Sequence, residues 1–508
     1  MSSTEATLLP PAAQQRGMRQ RLSRSRVDGW RLPVLVFVWA QVVFGLWWAG
    51  QRPAMLSYDS LRYIQNVTLG PWTASHSPLY DTLILISLTL TGNIAALVVV
   101  QTTVAAVSLA YVATSMRQLG VRTSWLLAPV LILPLSPACG TFVSTVWKDV
   151  PFTFAQIFLF GTLVRLLAAR RCPTPDARIP RRLFWAIGVE LALIALFRNN
   201  GFLVVVIIGA VLVAALAGSR AKLAVATGSA LAALLIAQLV VYPAAGITAP
   251  SSNLAYGVFY ADIAVAYARA PQTFTPSDLT LMASVASLEH WAASDNCSSS
   301  DPLFRGGFSS AKVDLIKNQL AVLWMKQLIR TPAIVIGAKL CRSSIAWDIR
   351  PGARGSANFV GYPVAIPDNL FGRERYVPAD VAQRLHPNPV TAALGSLTRS
   401  ARNSSGNAIW QTIFFRGSIW SYVSYLAVAF AYRRLRRRDV IILASICAAN
   451  QLVVMAANPA QLFRYMAAPI FVGLLSVSLI GVIPPAGVPT TDSDDADLPP
   501  GSAEQVPG

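Results

Sequence analysis

Apolar runs close to the length of a bilayer crossing recur along the chain from residue 32 to residue 482, and they leave few folds open. A helix needs ~20 largely apolar residues to cross the hydrocarbon core. Inside that core only helices and closed barrels satisfy their own backbone groups. The stretches 32–50, 93–116, 125–146, 150–167, 183–197, 202–216, 223–242, 409–432, 440–457 and 465–482 read as about ten transmembrane helices. The chain is 54% hydrophobic and only 13% charged, whereas soluble domains carry roughly 25% charged residues. The expected fold is an all-α polytopic membrane protein. No short apolar run with a cleavage site precedes the first span, so no removed signal peptide is expected.

The formal net charge of +19 would point to nucleic acid in a soluble protein. Here the basic residues cluster in short segments beside apolar runs, the positive-inside pattern, and no nucleic-acid partner is expected. Arg165, Arg170, Arg171, Arg178, Arg181 and Arg182 mark one cytoplasmic loop, and Arg433-Arg434-Leu435-Arg436-Arg437-Arg438 marks another. Three crossings between residues 93 and 167 connect an outer loop near Asp59 to the first of these. The 13-residue stretch 79–91 is then a helix at the outer surface, because a fourth crossing would reverse the arginines. Both termini fall on the cytoplasmic side of a cell membrane.

The organisation follows from this count. Residues 1–29 read as a disordered basic arm, 30–243 as a transmembrane module with the first outer loop, and 244–407 as a large extracytoplasmic region. Residues 408–484 read as the last transmembrane helices and 485–508 as a disordered acidic tail. Within the large region, Thr275-Pro276-Ser277-Asp278 resembles a helix start. Residues 312–330 place Val313, Ile316, Leu320, Leu323 and Trp324 on one face, an amphipathic helix suited to a membrane surface. The short apolar stretch 333–347 reads as interfacial or re-entrant.

Chemistry concentrates where charges appear against that pattern. The outer ends of the spans carry Asp59, Arg62, His76, Lys148, Asp149, Arg198 and Arg464. Ionisable residues at membrane depth are functional candidates. Four cations from four chain regions on one side, Arg62, Lys148, Arg198 and Arg464, fit a shared anionic ligand, with Arg as a bidentate fork and Lys as a point charge. The structural alternatives are snorkelling or local pairs such as Lys148 with Asp149. Either carboxylate, Asp59 or Asp149, can serve as a general base. Tyr63 and Tyr80 are interface-belt residues or stack on a sugar ring, and Asn199 caps a broken helix or meets substrate. His76 either fixes its loop by hydrogen bonding or touches ligand. Five cysteines without paired spacing argue against a zinc site or a disulfide framework, although Cys297 and Cys341 can both lie outside and pair.

These residues also carry a likeness. The sequence resembles the GT-C superfamily of integral membrane glycosyltransferases, in particular family 39-type enzymes, which include protein O-mannosyltransferases and bacterial lipid A aminoarabinose transferases. The family's Asp-Glu-x-Arg-Tyr-like motif is matched by Asp59-Ser60-Leu61-Arg62-Tyr63, and its His-Pro-Pro-Leu-Tyr by His76-Ser77-Pro78-Leu79-Tyr80. A second outer acid at the start of the fourth span matches Lys148-Asp149-Val150-Pro151. An Arg-x-Asn-Gly-like break matches Arg198-Asn199-Asn200-Gly201, and an Arg-Tyr before the last span matches Arg464-Tyr465 with Pro469. Ser60 stands where the family has a second acid and Ser77 where it has a proline. Metal dependence, found in some relatives, is left open and no cofactor is expected.

The resemblance implies a GT-C-like glycosyltransferase taking a sugar from a polyprenyl-phosphate carrier and passing it, with inversion, to an extracytoplasmic acceptor. Asp59 would be the base and Asp149 a second catalytic carboxylate. Arg198, Arg464, Lys148 and Arg62 would hold the donor phosphate, and His76, Tyr63, Tyr80, Asn199 and Tyr465 would line the substrate site. The alternative class is a transporter or lipid flippase, which would favour inverted repeats and mid-membrane charges; no repeat is visible in the sequence.

Overall fold

The computed structural model describes residues 11–170, 179–350 and 377–484. The acidic tail at 485–508, residues 1–10, and Arg171 and Arg178 of the basic loop lie outside these. The described residues form helices joined by turns, with isolated β-bridges and no extended strand. Six helices are long and apolar enough to cross a bilayer, and up to nine spans result if each of three bent helix pairs counts as one. The chain is thus an all-α, multi-pass membrane protein.

The first ten helices are α1 (Pro11–Gly50), α2 (Tyr58–Thr68), α3 (Pro78–Thr91), α4 (Ala95–Gln118), α5 (Thr123–Leu135), α6 (Pro137–Val143), α7 (Asp149–Ala169), α8 (Arg181–Phe197), α9 (Gly201–Ala215) and α10 (Arg220–Ile236). Helix α1 starts at Pro11, so residues 11–29 are helical ahead of the candidate span Trp30–Gly50, where the sequence reads as a disordered arm. The reason is local: proline is preformed for a first helical position, and Gln and Arg are good helix formers that extend an established helix at little cost.

Residues 125–146, read as one span, are the pair α5 and α6, bent by 59°. The break sits at Ser136-Pro137, where Ser136 Oγ accepts from the Cys139 amide at 3.2 Å and Pro137 opens the new helix. Gly140 makes room there, since a Cβ at this position would lie 2.1 Å from the Trp47 indole. Helices α4 and α7 stack in turn from α1 towards α8, and α10 packs against α8 and α9. Their buried faces, with those of the last three helices, share one apolar core.

Residues from Tyr256 to Val335 build a second core of their own, while Ile345 and Ala346 pack with Val454 and Met466. The Thr275–Asp278 capping box is present as read. The amphipathic helix Ser310–Arg330 is also present, but its expected membrane face is turned inward. Val313, Leu320 and Leu323 are buried against the helix Ser252–Arg269. The exposed apolar residues are Leu315, Val322, Met325 and Ile329 on other faces of the helix. The sequence pattern identifies an apolar stripe, and protein packing here takes it before lipid does. At Pro332 the chain turns by 108° into Pro332–Arg342.

Candidate functional site

Two carboxylates are brought together by a short strap. Met55 forms a parallel bridge with Thr145: its amide donates to Ser144 O and its carbonyl accepts from the Val146 amide, both at 2.9 Å. Ser57 caps α2, and its Oγ also accepts from Trp147 Nε1 at 2.7 Å. Ser60 completes a capping box with Ser57 and donates to Val146 O at 2.8 Å. The residue that replaces the second acid of the resemblance therefore ties α2 to the entrance of α7. Asp59 lies in the first turn of α2, and Asp149 is the first residue of α7. At a helix N-terminus the free amides and the helix dipole favour an ionised carboxylate.

A second strap holds the histidine loop against the break between α8 and α9. Ser77 caps α3 through the Tyr80 amide and donates to Leu196 O at 2.9 Å. Asn199 Nδ2 donates to Ser75 O at 3.1 Å. The break needs Gly201, because a Cβ there would sit 2.1 Å from the Ile194 carbonyl oxygen. Gly201→Ala should therefore shift α9 and cost about 1–3 kcal/mol, read as a lower Tm of the purified protein; an unchanged Tm would mean that the break relaxes without strain.

The arginines then pair with the acids. Arg464, on the turn Phe463–Met466, donates to Asp59, and its Nη1 lies 4.0 Å from Asp149 Oδ2. Arg198 Nε is 3.4 Å from Asp149 Oδ1. Both guanidinium groups face the Tyr465 ring, at 4.6 Å for Arg198 and 5.2 Å for Arg464. The local Lys148–Asp149 pair considered from the sequence is replaced by this longer-range one, and Lys148 forms no ion pair among the described residues. The centre thus gathers Lys148, Arg198 and Arg464 against Asp59 and Asp149.

The electrostatics follow from that surplus of positive charge. Burial works to raise the Asp59 carboxyl, but Arg464, through charge and hydrogen bond, with His76 and Lys148, outweighs it and holds the group at about 2. Burial, with the Lys148 charge, pushes His76 down to about 3, so its imidazole is neutral at pH 7. Burial likewise draws the Lys148 ammonium below its ordinary value, against the pull of Asp149 and Asp59. Tyr63 packs edge-on against His76 and Tyr80, at centroid distances of 4.7 and 5.6 Å. Burial, reinforced by Asp59 and Asp149, raises its phenol well above the usual value. The Tyr63 hydroxyl and Arg464 Nε are buried without hydrogen-bond partners.

Not every expected residue reaches the centre with a free group. Tyr80 is fully buried and donates to Gln101 Oε1 at 2.7 Å, pointing its hydroxyl into α4. The Asn199 amide nitrogen is used on the loop carbonyls. Arg62 is exposed on α2, with Nη1 donating to Gln65 Oε1 at 3.0 Å. Sequence reasoning missed Asp81, which is buried and accepts from Asn66 Nδ2 at 2.9 Å. An acid near a helix start looks ordinary in sequence, and only the fold buries it. Among the described residues no group of three or more His, Cys, Asp or Glu gathers as a metal site.

A family profile, described as "Family of unknown function (DUF6020)", matches residues 79–482. The chain belongs to the DUF6020 family. The DUF6020 match takes in Lys148, Asp149, Arg198, Arg464 and Tyr465, while Asp59, Arg62, Tyr63 and His76 precede it. No curated protein matches the chain.

Proposed function

We propose that this protein is a GT-C-like membrane glycosyltransferase that moves a sugar from a polyprenyl-phosphate donor to an extracytoplasmic acceptor with inversion. The observation that carries the reading is the convergence of Lys148, Arg198 and Arg464 on Asp59 and Asp149, from chain regions up to 405 residues apart. Three cations around two carboxylates suit an anion, and two guanidinium forks suit a phosphate. In the proposed reaction the acceptor hydroxyl gives its proton to Asp59 as its oxygen attacks the anomeric carbon. The bond from that carbon to the phosphate oxygen breaks, and the polyprenyl phosphate leaves with its charge held by Arg464, Arg198 and Lys148. In this reading neutral His76 and the unpartnered Tyr63 hydroxyl would hydrogen-bond the sugar or the acceptor.

The span count that fits this reading is ten: α8 and α9 cross as a hairpin, α5 with α6 and the pair Ala408–Phe415 with Gly417–Leu435 each cross once, and the pair at Ser310–Arg330 stays outside. The Cys297–Cys341 disulfide supports an oxidising side for the 252–347 region. Single cysteines at Ser75, Ser299 and Ser404 should label from outside with an impermeant thiol reagent, in a background with Cys172 replaced by serine and the disulfide kept. A cysteine at exposed Ala217 should not; outside labelling there would overturn the sidedness. The activity itself is tested by sugar transfer from defined polyprenyl-phosphate sugars, set out in the Discussion.

A further inference from the structure

The segment that carries Arg464 is gripped from one side by two jaws. One jaw is residues 298–300. Ser298 O accepts from the Gln461 amide at 3.1 Å, the Ser300 amide donates to Pro459 O at 2.8 Å, and Ser299 and Ala460 form an antiparallel bridge. The other jaw is the end of Pro332–Arg342. Asn458 Nδ2 donates to Arg342 O at 2.7 Å, and Gln461 Nε2 donates to Cys341 O at 2.6 Å. The Cys297–Cys341 disulfide joins the two jaws directly beside these contacts.

The jaws are themselves anchored. Asn296 Oδ1 accepts from the Ser298 and Ser299 amides at 2.9 and 3.1 Å. Fully buried Asp262 takes Arg342 Nη1 at 2.8 Å, Lys339 Nζ at 3.2 Å and Trp324 Nε1 at 3.0 Å, which fixes the Cys341-bearing helix to Ser252–Arg269. Only two residues separate Gln461 from Arg464, Leu462 and Phe463, and the Phe463 ring packs on Phe142 and Phe415. A short, hydrogen-bonded tether of this kind passes a displacement of the jaws to Arg464.

We propose that Cys297, Cys341, Asn458 and Gln461 are positioning residues that set the place of Arg464, so that the 252–347 region tunes phosphate capture at the site. The inference rests on the reading of Arg464 as a phosphate ligand. Both cysteines are half-buried, and reduction is expected to act in the same direction as their substitution.

The test uses full-length protein in detergent, with hydrogen exchange of residues 462–466 and binding of decaprenyl phosphate as readouts. Cys297→Ser with Cys341→Ser should speed that exchange and weaken decaprenyl phosphate binding by about tenfold or more, while exchange in α4 and α7 stays as in the parent. Asn458→Ala with Gln461→Ala leaves the disulfide in place and should give the same pattern by about three- to tenfold; it carries the test if the cysteine variant does not fold. Unchanged exchange at 462–466 in a folded variant overturns the proposal, as does faster exchange with full affinity. A parent protein that binds no decaprenyl phosphate overturns the phosphate reading instead, and exchange alone then decides whether the clamp exists.

Discussion

Asp59→Asn is expected to lower turnover by roughly 10²–10⁴-fold while leaving the fold and donor-lipid binding largely intact. The amide keeps the shape of the carboxylate and can still accept from Arg464, but it cannot take the proton of an acceptor hydroxyl. In the ligand-free protein Asp59 is paired with Arg464 and held at about 2, which gives the right ionisation state but a weak base. A donor phosphate that draws Arg464 to itself removes the largest charge lowering Asp59, and the carboxylate then becomes more basic. The sign of the pH dependence follows. Protonation of Asp59 removes the base, so activity falls on the acid side. The acid limb of kcat, which reports the donor-bound enzyme, should lie at higher pH than that of kcat/KM. Coincident limbs would mean that the phosphate does not take Arg464 from Asp59. Asp149→Asn is expected to raise KM more than it lowers kcat, because Asp149 is buried and paired with Arg198 as an orienting group. If Asp149→Asn loses turnover and Asp59→Asn keeps it, the roles are exchanged.

The second large effect is expected at Arg464. Arg464→Ala should reduce kcat/KM by several-fold to a few hundredfold, corresponding to about 1–3 kcal/mol of lost charge-assisted hydrogen bonding. Arg464→Lys keeps the charge but not the fork and should fall in between. Arg198→Ala should act in the same direction. It also leaves the buried Asp149 carboxylate without its nearer partner, and uncompensated buried charge is costly, so a lowered Tm should accompany the kinetic loss. Asp59 remains one-third exposed and can be solvated when Arg464 is removed, so Arg464→Ala should change Tm less. Full activity in both alanine variants removes the phosphate clamp from the account.

What the sequence disclosed was set by how unusual a residue is in its surroundings. Asp59, Lys148, Asp149, Arg198 and Arg464 stand out because each is a charge at the end of an apolar run, and the fold brings all five to one place. Long-range partner choice was not legible in this way. Sequence adjacency favours Lys148 for Asp149, yet the break at Gly201 delivers Arg198 instead. Tyr80 and Asn199 fall in suggestive motifs, but their polar groups are used up holding neighbouring elements. Ser60 enters the sequence reading only as the residue in place of a second acid, and Ser57 not at all; their hydrogen bonds to Val146 and Trp147 show them fastening the two acids. The 312–330 stripe has the right period, but period alone does not say whether protein or lipid covers it.

The central claim is sugar transfer from a polyprenyl-phosphate donor, and one measurement tests it most directly. Purified protein in lipid nanodiscs is incubated with a panel of radiolabelled decaprenyl-phosphate sugars and a cell-envelope acceptor extract, and free decaprenyl phosphate and labelled acceptor are quantified together. The account predicts that at least one donor yields both products in equal amounts, with inverted anomeric configuration, and that Asp59→Asn slows the formation of both by roughly 10²–10⁴-fold without loss of donor binding. Donor sugars that stay intact across the panel while the folded protein moves the lipid between leaflets would contradict it and make the protein a transporter.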